Sequence, residues 1–205
     1  MITLFWCPQT RASRILWLLE EMNEPFEVRL IDIRKPDARS DPDFAAASPM
    51  GKVPAIMDTT ETGTVSLADS SAIALYLCDR YPASGLAPAI DHPARGKYLY
   101  WMTFTPGVIE PAMMERFTGM EVSRASSGWG NFDTMIEVLE DGLREGPWLM
   151  GEKFSAADVL VGSSVYFMKM FGILPESNIL SEYGDRCSER PACVKALARD
   201  SELGG

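Results

Sequence analysis

Ser48-Pro49-Met50-Gly51-Lys52-Val53-Pro54-Ala55-Ile56 is the stretch on which the reading of this 205-residue chain turns. A Gly-Lys turn runs into Val-Pro at the mouth of an apolar run. Proline cannot donate a ladder hydrogen bond, so Pro54 belongs at the first residue of a strand, on an edge or in a turn. A cis bond before it would turn the N–H and C=O of Val53 outward, where another peptide could pair with them. A short way on, Leu67-Ala68-Asp69-Ser70-Ser71-Ala72-Ile73 sets two short polar side chains immediately before a helical run. That is the place for an N-cap and for a helix end that receives an anion. A peptide-pairing edge beside such a helix end suits a small acidic peptide.

Outward from this stretch, the first eighty residues alternate short strands with helices. Residues 2–6 are apolar and β-prone, and Cys7-Pro8-Gln9-Thr10 interrupts them. Ile15, Leu16, Leu18 and Leu19 open a helical run that ends near 20–23. Residues 26–33 alternate as a half-buried strand does, and 35–50, rich in Pro and Asp, predict a loop with one short helix. Residues 53–57 and 64–67 flank a turn-rich segment and read as a hairpin, followed by a helix over 71–81. The order βαβ, loop, ββα predicts a compact α/β unit over residues 1–82. Tyr81-Pro82-Ala83-Ser84-Gly85-Leu86-Ala87-Pro88, extended by His92-Pro93, gives a linker at 83–93. Residues 94–205 predict an all-α bundle, with helices at 95–104, 110–123, 129–144, 156–171 and 191–200.

Composition narrows the function. Hydrophobic residues make up 46% and charged residues 23%, the balance of an ordinary globular protein. No apolar run approaches the roughly 18 residues of a membrane span, and the N-terminus lacks the pattern of a secretion signal. Cys7, Cys78, Cys187 and Cys193 form no C-x-x-C pair and no metal-ligand spacing with the single histidine, His92, so no metal and reduced, cytoplasmic thiols are expected. A net charge of −10 repels nucleic acid and anionic membranes. Against that acidic background Arg11, Arg14, Arg34, Lys35 and Lys52 gather in the first quarter of the chain, where an anion could bind.

Two further constellations stand out. Ser155 followed three residues later by Asp158, at the head of an apolar run, is a capping box and a folding element rather than a catalytic acid. The turn Cys7-Pro8-Gln9-Thr10-Arg11-Ala12-Ser13 delivers a thiol and two hydroxyls to the beginning of a helix, where the dipole favours an anion. Cys7 there could act as a nucleophile, whereas Thr10 or Ser13 could donate to a bound thiolate; Ser13 as a simple cap and Cys7 as a small half-buried hydrophobe stand beside these. Tyr98, Trp101, Met102, Phe104, Met113, Met114 and Phe117 recur at helical spacing and read mostly as core, with a few free to line an apolar pocket.

Taken together these residues resemble the bacterial cytosolic glutathione S-transferases. Arg14-Ile15-Leu16-Trp17-Leu18-Leu19-Glu20-Glu21 resembles the family's first helix. Ser48 to Pro54 resembles its N-P-x-G-K-V-P segment with the cis-proline, and Asp69-Ser70-Ser71-Ala72-Ile73 stands where the family has Glu-Ser-x-Ala-Ile. Ser155 with Asp158 resembles the capping motif of its helical domain, and Tyr183 to Arg186 with Arg190-Pro191-Ala192 resembles its ending. The resemblance implies a thioredoxin-like first domain, a helical second domain and a homodimer, with glutathione as co-substrate and no other cofactor. It implies that Val53 and Pro54 meet the cysteinyl part of glutathione, that Asp69 and Ser70 hold its γ-glutamyl end, and that Lys52 lies near the glycyl carboxylate or the cysteinyl backbone. Asp69 is one methylene shorter than the family's usual Glu.

Two alignments of the first turn imply different chemistries. Thr10 falls where insect-type members carry a serine, and its hydroxyl would stabilise a glutathione thiolate for attack on a hydrophobic electrophile. Cys7-Pro8 falls on the Cys-Pro of the omega class, which would form a mixed disulfide and serve a thiol-disulfide oxidoreductase. A non-catalytic interaction module on the same fold is the third reading. Lowering a thiol pKa of ~8.5 by about two units takes roughly 2.7 kcal/mol, and one charge-assisted hydrogen bond (~1.5–3 kcal/mol) with a helix end (~0.3–1 kcal/mol) supplies it. Thr10 is the favoured assignment.

Overall fold

The structure, a computed structural model, describes residues 1–120 and 122–203. Four strands, β1 (Ile2–Trp6), β2 (Phe26–Leu30), β3 (Ala55–Thr60) and β4 (Gly63–Ala68), form one sheet in the order β2-β1-β3-β4. β1 pairs in parallel with β2 from Ile2↔Phe26 to Trp6↔Leu30, and antiparallel with β3 from Ile2↔Asp58 to Phe5↔Ala55. β3 and β4 close the sheet as the expected hairpin. All five residues of β1 are buried, so this inner strand is apolar but for Thr3, whereas β2 and β4 at the edges are half-buried or exposed.

Helix α1 (Ala12–Met22) crosses between the parallel strands, buries Ile15, Leu16, Trp17, Leu18 and Leu19, and ends at Asn23 in the left-handed conformation. The short helix expected in the loop is α2 (Pro42–Ala47), capped by Asp41, whose carboxylate accepts from the backbone N–H groups of Asp43 and Phe44. Those hydrogen bonds, with Arg29 close by, hold the Asp41 carboxyl below its ordinary pKa. Arg29 of β2 reaches Asp41 at 3.3 Å and Asp43 at 2.9 Å, and so ties the edge strand to α2. Helix α3 (Ser70–Arg80) follows β4. Asp58 of β3 has no solvent exposure and accepts from the hydroxyls of Tyr76 at 2.9 Å and Tyr81 at 2.9 and 3.0 Å, the donors a buried carboxylate requires. Burial and that carboxylate push the Tyr81 hydroxyl up to about 12.

The remaining helices are α4 (Arg95–Phe104), α5 (Glu110–Thr118), α6 (Phe132–Gly142), α7 (Ala156–Met170), α8 (Asn178–Ser188) and α9 (Pro191–Leu203). The gap read between α4 and α5 is a π turn, Thr105–Ile109, in which Pro106 withholds one N–H from the ladder. α5 stops at Thr118 rather than running to 123, because Gly119 at φ 65 turns the chain; of the expected extension, Glu121 lies outside the described residues. α6 begins three residues later than expected, where Asn131 caps it by accepting from the Thr134 N–H at 2.8 Å. α8 was not expected at all. β2 ends at Leu30, short of 33, and β3 begins at Ala55, beyond the proline.

The chain divides into two compact units, one of Met1–Ser84 together with the segment from Pro191 onward, the other of Gly85–Arg190. α9, expected with the helical domain, therefore groups with the sheet. The reason is its seat along α1: Lys195 and Arg199 both pair with Glu20, whose side chain is only 6% exposed. In the helical unit Trp148 and Gly151 exchange backbone hydrogen bonds of 3.1 and 2.9 Å before α7 begins. A Cβ on Gly146 would lie 2.7 Å from the Gly151 carbonyl carbon, where only backbone could give way. Gly146→Ala is expected to lower the unfolding free energy by about 1–3 kcal/mol, read from urea midpoints; an unchanged midpoint would contradict that contact.

Candidate active site

The turn after β1 is built by its own polar groups. The Thr10 hydroxyl donates to the Cys7 carbonyl at 2.7 Å and accepts from the Ala12 N–H at 3.2 Å, so it closes the corner and starts α1. Ser13 Oγ donates to the Thr10 carbonyl at 3.0 Å. Cys7 has no solvent exposure, and the Arg34 guanidinium lies against it, 3.5 Å from Sγ and 3.0 Å from the Pro8 carbonyl. Gln9, between them, is a non-glycine residue in the left-handed region at φ 57. Of the three side chains proposed to meet a sulfur, Thr10 and Ser13 are half-buried and Cys7 is enclosed.

The second wall is the stretch that opened the sequence. The Val53–Pro54 peptide bond is cis. The β1–β3 and β3–β4 ladders both end at Ala55, which leaves Val53 outside the sheet pairing. Val53 and Pro54 are buried while Lys52 is exposed. Ser48, 1% exposed, holds this loop from within: its Oγ donates to the Lys52 carbonyl at 2.7 Å and accepts from the Lys52 N–H at 2.9 Å. The turn needs its glycine, since Gly51 adopts φ 64 and a Cβ there would meet Arg39 Cδ at 3.0 Å. Ser48 opens the motif quoted from the sequence, but neither its part in holding this loop nor that of Arg39 is read there. A small polar residue three before a left-handed glycine was the available signal for Ser48.

Asp69 closes the third side. It caps α3, its Oδ1 accepting from the N–H groups of Ser71 at 2.9 Å and Ala72 at 3.2 Å. It does so at φ 78 and ψ 129, a conformation that costs a non-glycine residue on the order of 1–3 kcal/mol and persists where the surroundings impose it. Asp69 is exposed and Ser70 buried at the first turn of α3. The exposed Asp69 carboxylate can receive an ammonium while the positive end of the α3 dipole favours a carboxylate beside it, which together suit an amino-acid terminus.

Within the helical unit the aromatic set divides. Tyr98, Trp101, Met102 and Phe104 are core. Met114 and Phe117 are 51% and 45% exposed, and Phe117 meets Phe171 edge-to-face at 5.3 Å. Asp158, at the head of α7, is enclosed as the capping reading requires: it accepts from the Ser155 N–H at 2.9 Å, Ser155 Oγ at 3.0 Å, the Leu149 N–H at 2.9 Å and the Tyr183 hydroxyl at 3.2 Å. The His92 side chain accepts from the Ala94 N–H at 3.0 Å through Nδ1, a local turn contact. Among the described residues no helix is long and apolar enough to cross a membrane.

Comparison with known proteins agrees with this geometry. Residues 6–80 match the family described as glutathione S-transferase, N-terminal domain. Glutathione S-transferase 3 of Schizosaccharomyces pombe is 25% identical over 94% of this chain and 85% of its own length. The disulfide-bond oxidoreductase YfcG of Escherichia coli is 27% identical over the whole of this chain and 97% of its own length. The crystal structure of a glutathione transferase from Methylococcus capsulatus superimposes with a TM-score of 0.81 at 26% identity, covering 98% of this chain and all of that one. The chain belongs to the glutathione S-transferase family.

Proposed function

We propose that the protein is a glutathione transferase that binds glutathione along Lys52, Val53, Pro54, Asp69 and Ser70 and stabilises its thiolate from Thr10 for attack on an apolar electrophile. The observation that carries this reading is Asp69, a non-glycine residue held at φ 78 to cap α3 while its side chain stays exposed. A conformation so costly marks a place where position matters more than local comfort.

Accessibility and energy favour Thr10 over Cys7. A glutathione sulfur would have to displace surrounding side chains to reach the enclosed Cys7 thiol. The Thr10 proton rests on the Cys7 carbonyl, a neutral hydrogen bond worth ~0.5–1.5 kcal/mol net, and a thiolate offers it a charge-assisted bond worth ~1.5–3 kcal/mol. Rotation of the hydroxyl toward the thiolate is therefore favourable.

A thiol-disulfide oxidoreductase is the second reading, and the Arg34 guanidinium beside Cys7 Sγ is the observation that favours it. We carry the homodimer and a cytoplasmic location with the proposal, the latter because the four cysteines are buried thiols outside any disulfide, as in a reducing compartment. Isothermal titration with reduced glutathione tests the binding half. The wild type is expected to bind, and Asp69→Ala to weaken binding at least about tenfold, which is ~1.4 kcal/mol, besides the ~1 kcal/mol of stability lost with the cap. Absence of binding to the wild type would end the reading.

A further inference from the structure

The last helix holds the catalytic turn in place. Asp200, in the final stretch of α9, divides its carboxylate between the two ends of the Cys7-Pro8 corner: Oδ1 accepts from the Trp6 indole N–H at 2.9 Å and Oδ2 from the Gln9 backbone N–H at 3.2 Å. Gln9 is the left-handed residue that delivers the chain to Thr10. We propose that Asp200 is a positioning residue for the transferase reaction, fixing the Trp6–Gln9 corner so that the Thr10 hydroxyl stands at the glutathione sulfur; this rests on the function proposed above.

Three observations separate this role from simple docking of the helix. First, α9 is anchored elsewhere: Lys195 and Arg199 pair with Glu20, Arg199 lies over the Phe26 ring at 4.9 Å, and Cys193 and Ala196 are buried. Docking does not need Asp200. Second, a carboxylate close to a helix C-terminus opposes the dipole, and the last turn of α9 carries no basic residue to offset it. The position is locally unfavourable, and burial raises the Asp200 carboxyl above its ordinary pKa despite both hydrogen bonds. Third, the corner is held from its other side by Arg34 on the Pro8 carbonyl. Cys7-Pro8 thus lies between an anion that binds its donors and a cation that binds its acceptor, an arrangement that fixes orientation, whereas a docking contact would need no such division.

The experiment compares the wild type with Asp200→Ala, Asp200→Asn and Arg199→Ala. Each protein is measured for kcat and KM with glutathione and a generic aromatic halide, for the ultraviolet absorbance of enzyme-bound glutathione thiolate, and for Tm. Asp200→Ala is expected to lower kcat about tenfold and to diminish the thiolate absorbance, with KM for glutathione within about twofold, because a misplaced catalytic group costs rate more than binding. Asp200→Asn keeps one acceptor oxygen and is expected to recover part of the loss. Arg199→Ala removes a docking pair, and its expected result is a lower Tm with kcat unchanged. Were Asp200→Ala to lower only Tm, or Arg199→Ala to lower kcat and thiolate absorbance equally, Asp200 would be a docking contact and the proposal would fall alone. A wild type that neither binds nor turns over glutathione overturns the functional reading, and the positioning role with it.

Discussion

Replacing Asp158 with alanine is expected to lower the unfolding free energy by about 3–5 kcal/mol, a large share of the roughly 5–15 kcal/mol that holds a domain folded. Two backbone N–H groups and two hydroxyls lose their acceptor together, in a place with no solvent to replace it. Asparagine is no remedy. Donors occupy both carboxylate oxygens, so an amide NH2 would face the N–H of either Leu149 or Ser155. A pH signature accompanies the loss. Burial lifts the Asp158 carboxyl from 3.8 to about 6, against the lowering effect of its hydrogen bonds. Between these values the folded protein holds a proton that the unfolded chain releases, so this group's contribution is fully present below about pH 4 and declines as pH rises through 6, by ~3 kcal/mol in all. Urea unfolding at pH 4.5 and 7.5 (about two positions on that curve) should show the gap between wild type and Asp158→Ala wider at the lower pH. A gap that narrows on acidification would reject this account.

The second large effect is on rate. Thr10→Val keeps the shape of the side chain, removes the only proton it can offer to a thiolate, and also breaks the bond to the Cys7 carbonyl. Loss of one oriented donor to a developing or bound anion costs on the order of 100-fold in kcat. Cys7→Ser is expected to leave conjugation within about twofold of wild type, since the thiol is enclosed and sits behind the turn. Steady-state conjugation and disulfide-reductase assays on both variants separate the two chemistries. If Cys7→Ser abolished disulfide reduction while Thr10→Val retained conjugation, the oxidoreductase reading would replace the transferase one.

The order of elements in the sheet unit was legible because each of its signals is local. β1 is apolar but for Thr3, α1 has a wide apolar stripe, and Pro54 and Asp69 mark where β3 begins and where α3 is capped. What escaped was decided by contacts distant in sequence or by mixed local signals. α8 does carry Leu180, Tyr183 and Cys187 at helical spacing behind a Ser177 cap, but the polar residues between them mask the stripe. The π turn arises from Pro106 inside an otherwise continuous helical pattern, where proline ordinarily reads as a stop. At the candidate site, Cys7, Thr10, Lys52, Val53, Pro54, Asp69 and Ser70 can be named from motifs. Arg39 and Asp200 cannot, since their roles depend on which loops and helices meet them; Arg34 stands in the sequence only among the cations of the first quarter, and Ser48 only at the head of its motif. Asp200 lies 191 residues from the Gln9 N–H it accepts.

That separation bears on how the protein is made. The sheet unit is interrupted: its chain leaves at Ser84 and returns at Pro191, with the helical unit spliced between. A ribosome synthesising from the N-terminus at roughly 5–20 residues per second has the four strands in hand long before α9 emerges. Until it does, the Trp6 indole, the Gln9 N–H and the face of α1 around Glu20 lack the partners α9 brings. A half-made chain therefore carries the residues proposed to contact glutathione without the clasp over the Trp6–Gln9 corner, and the emergence of α9 is the event that supplies it.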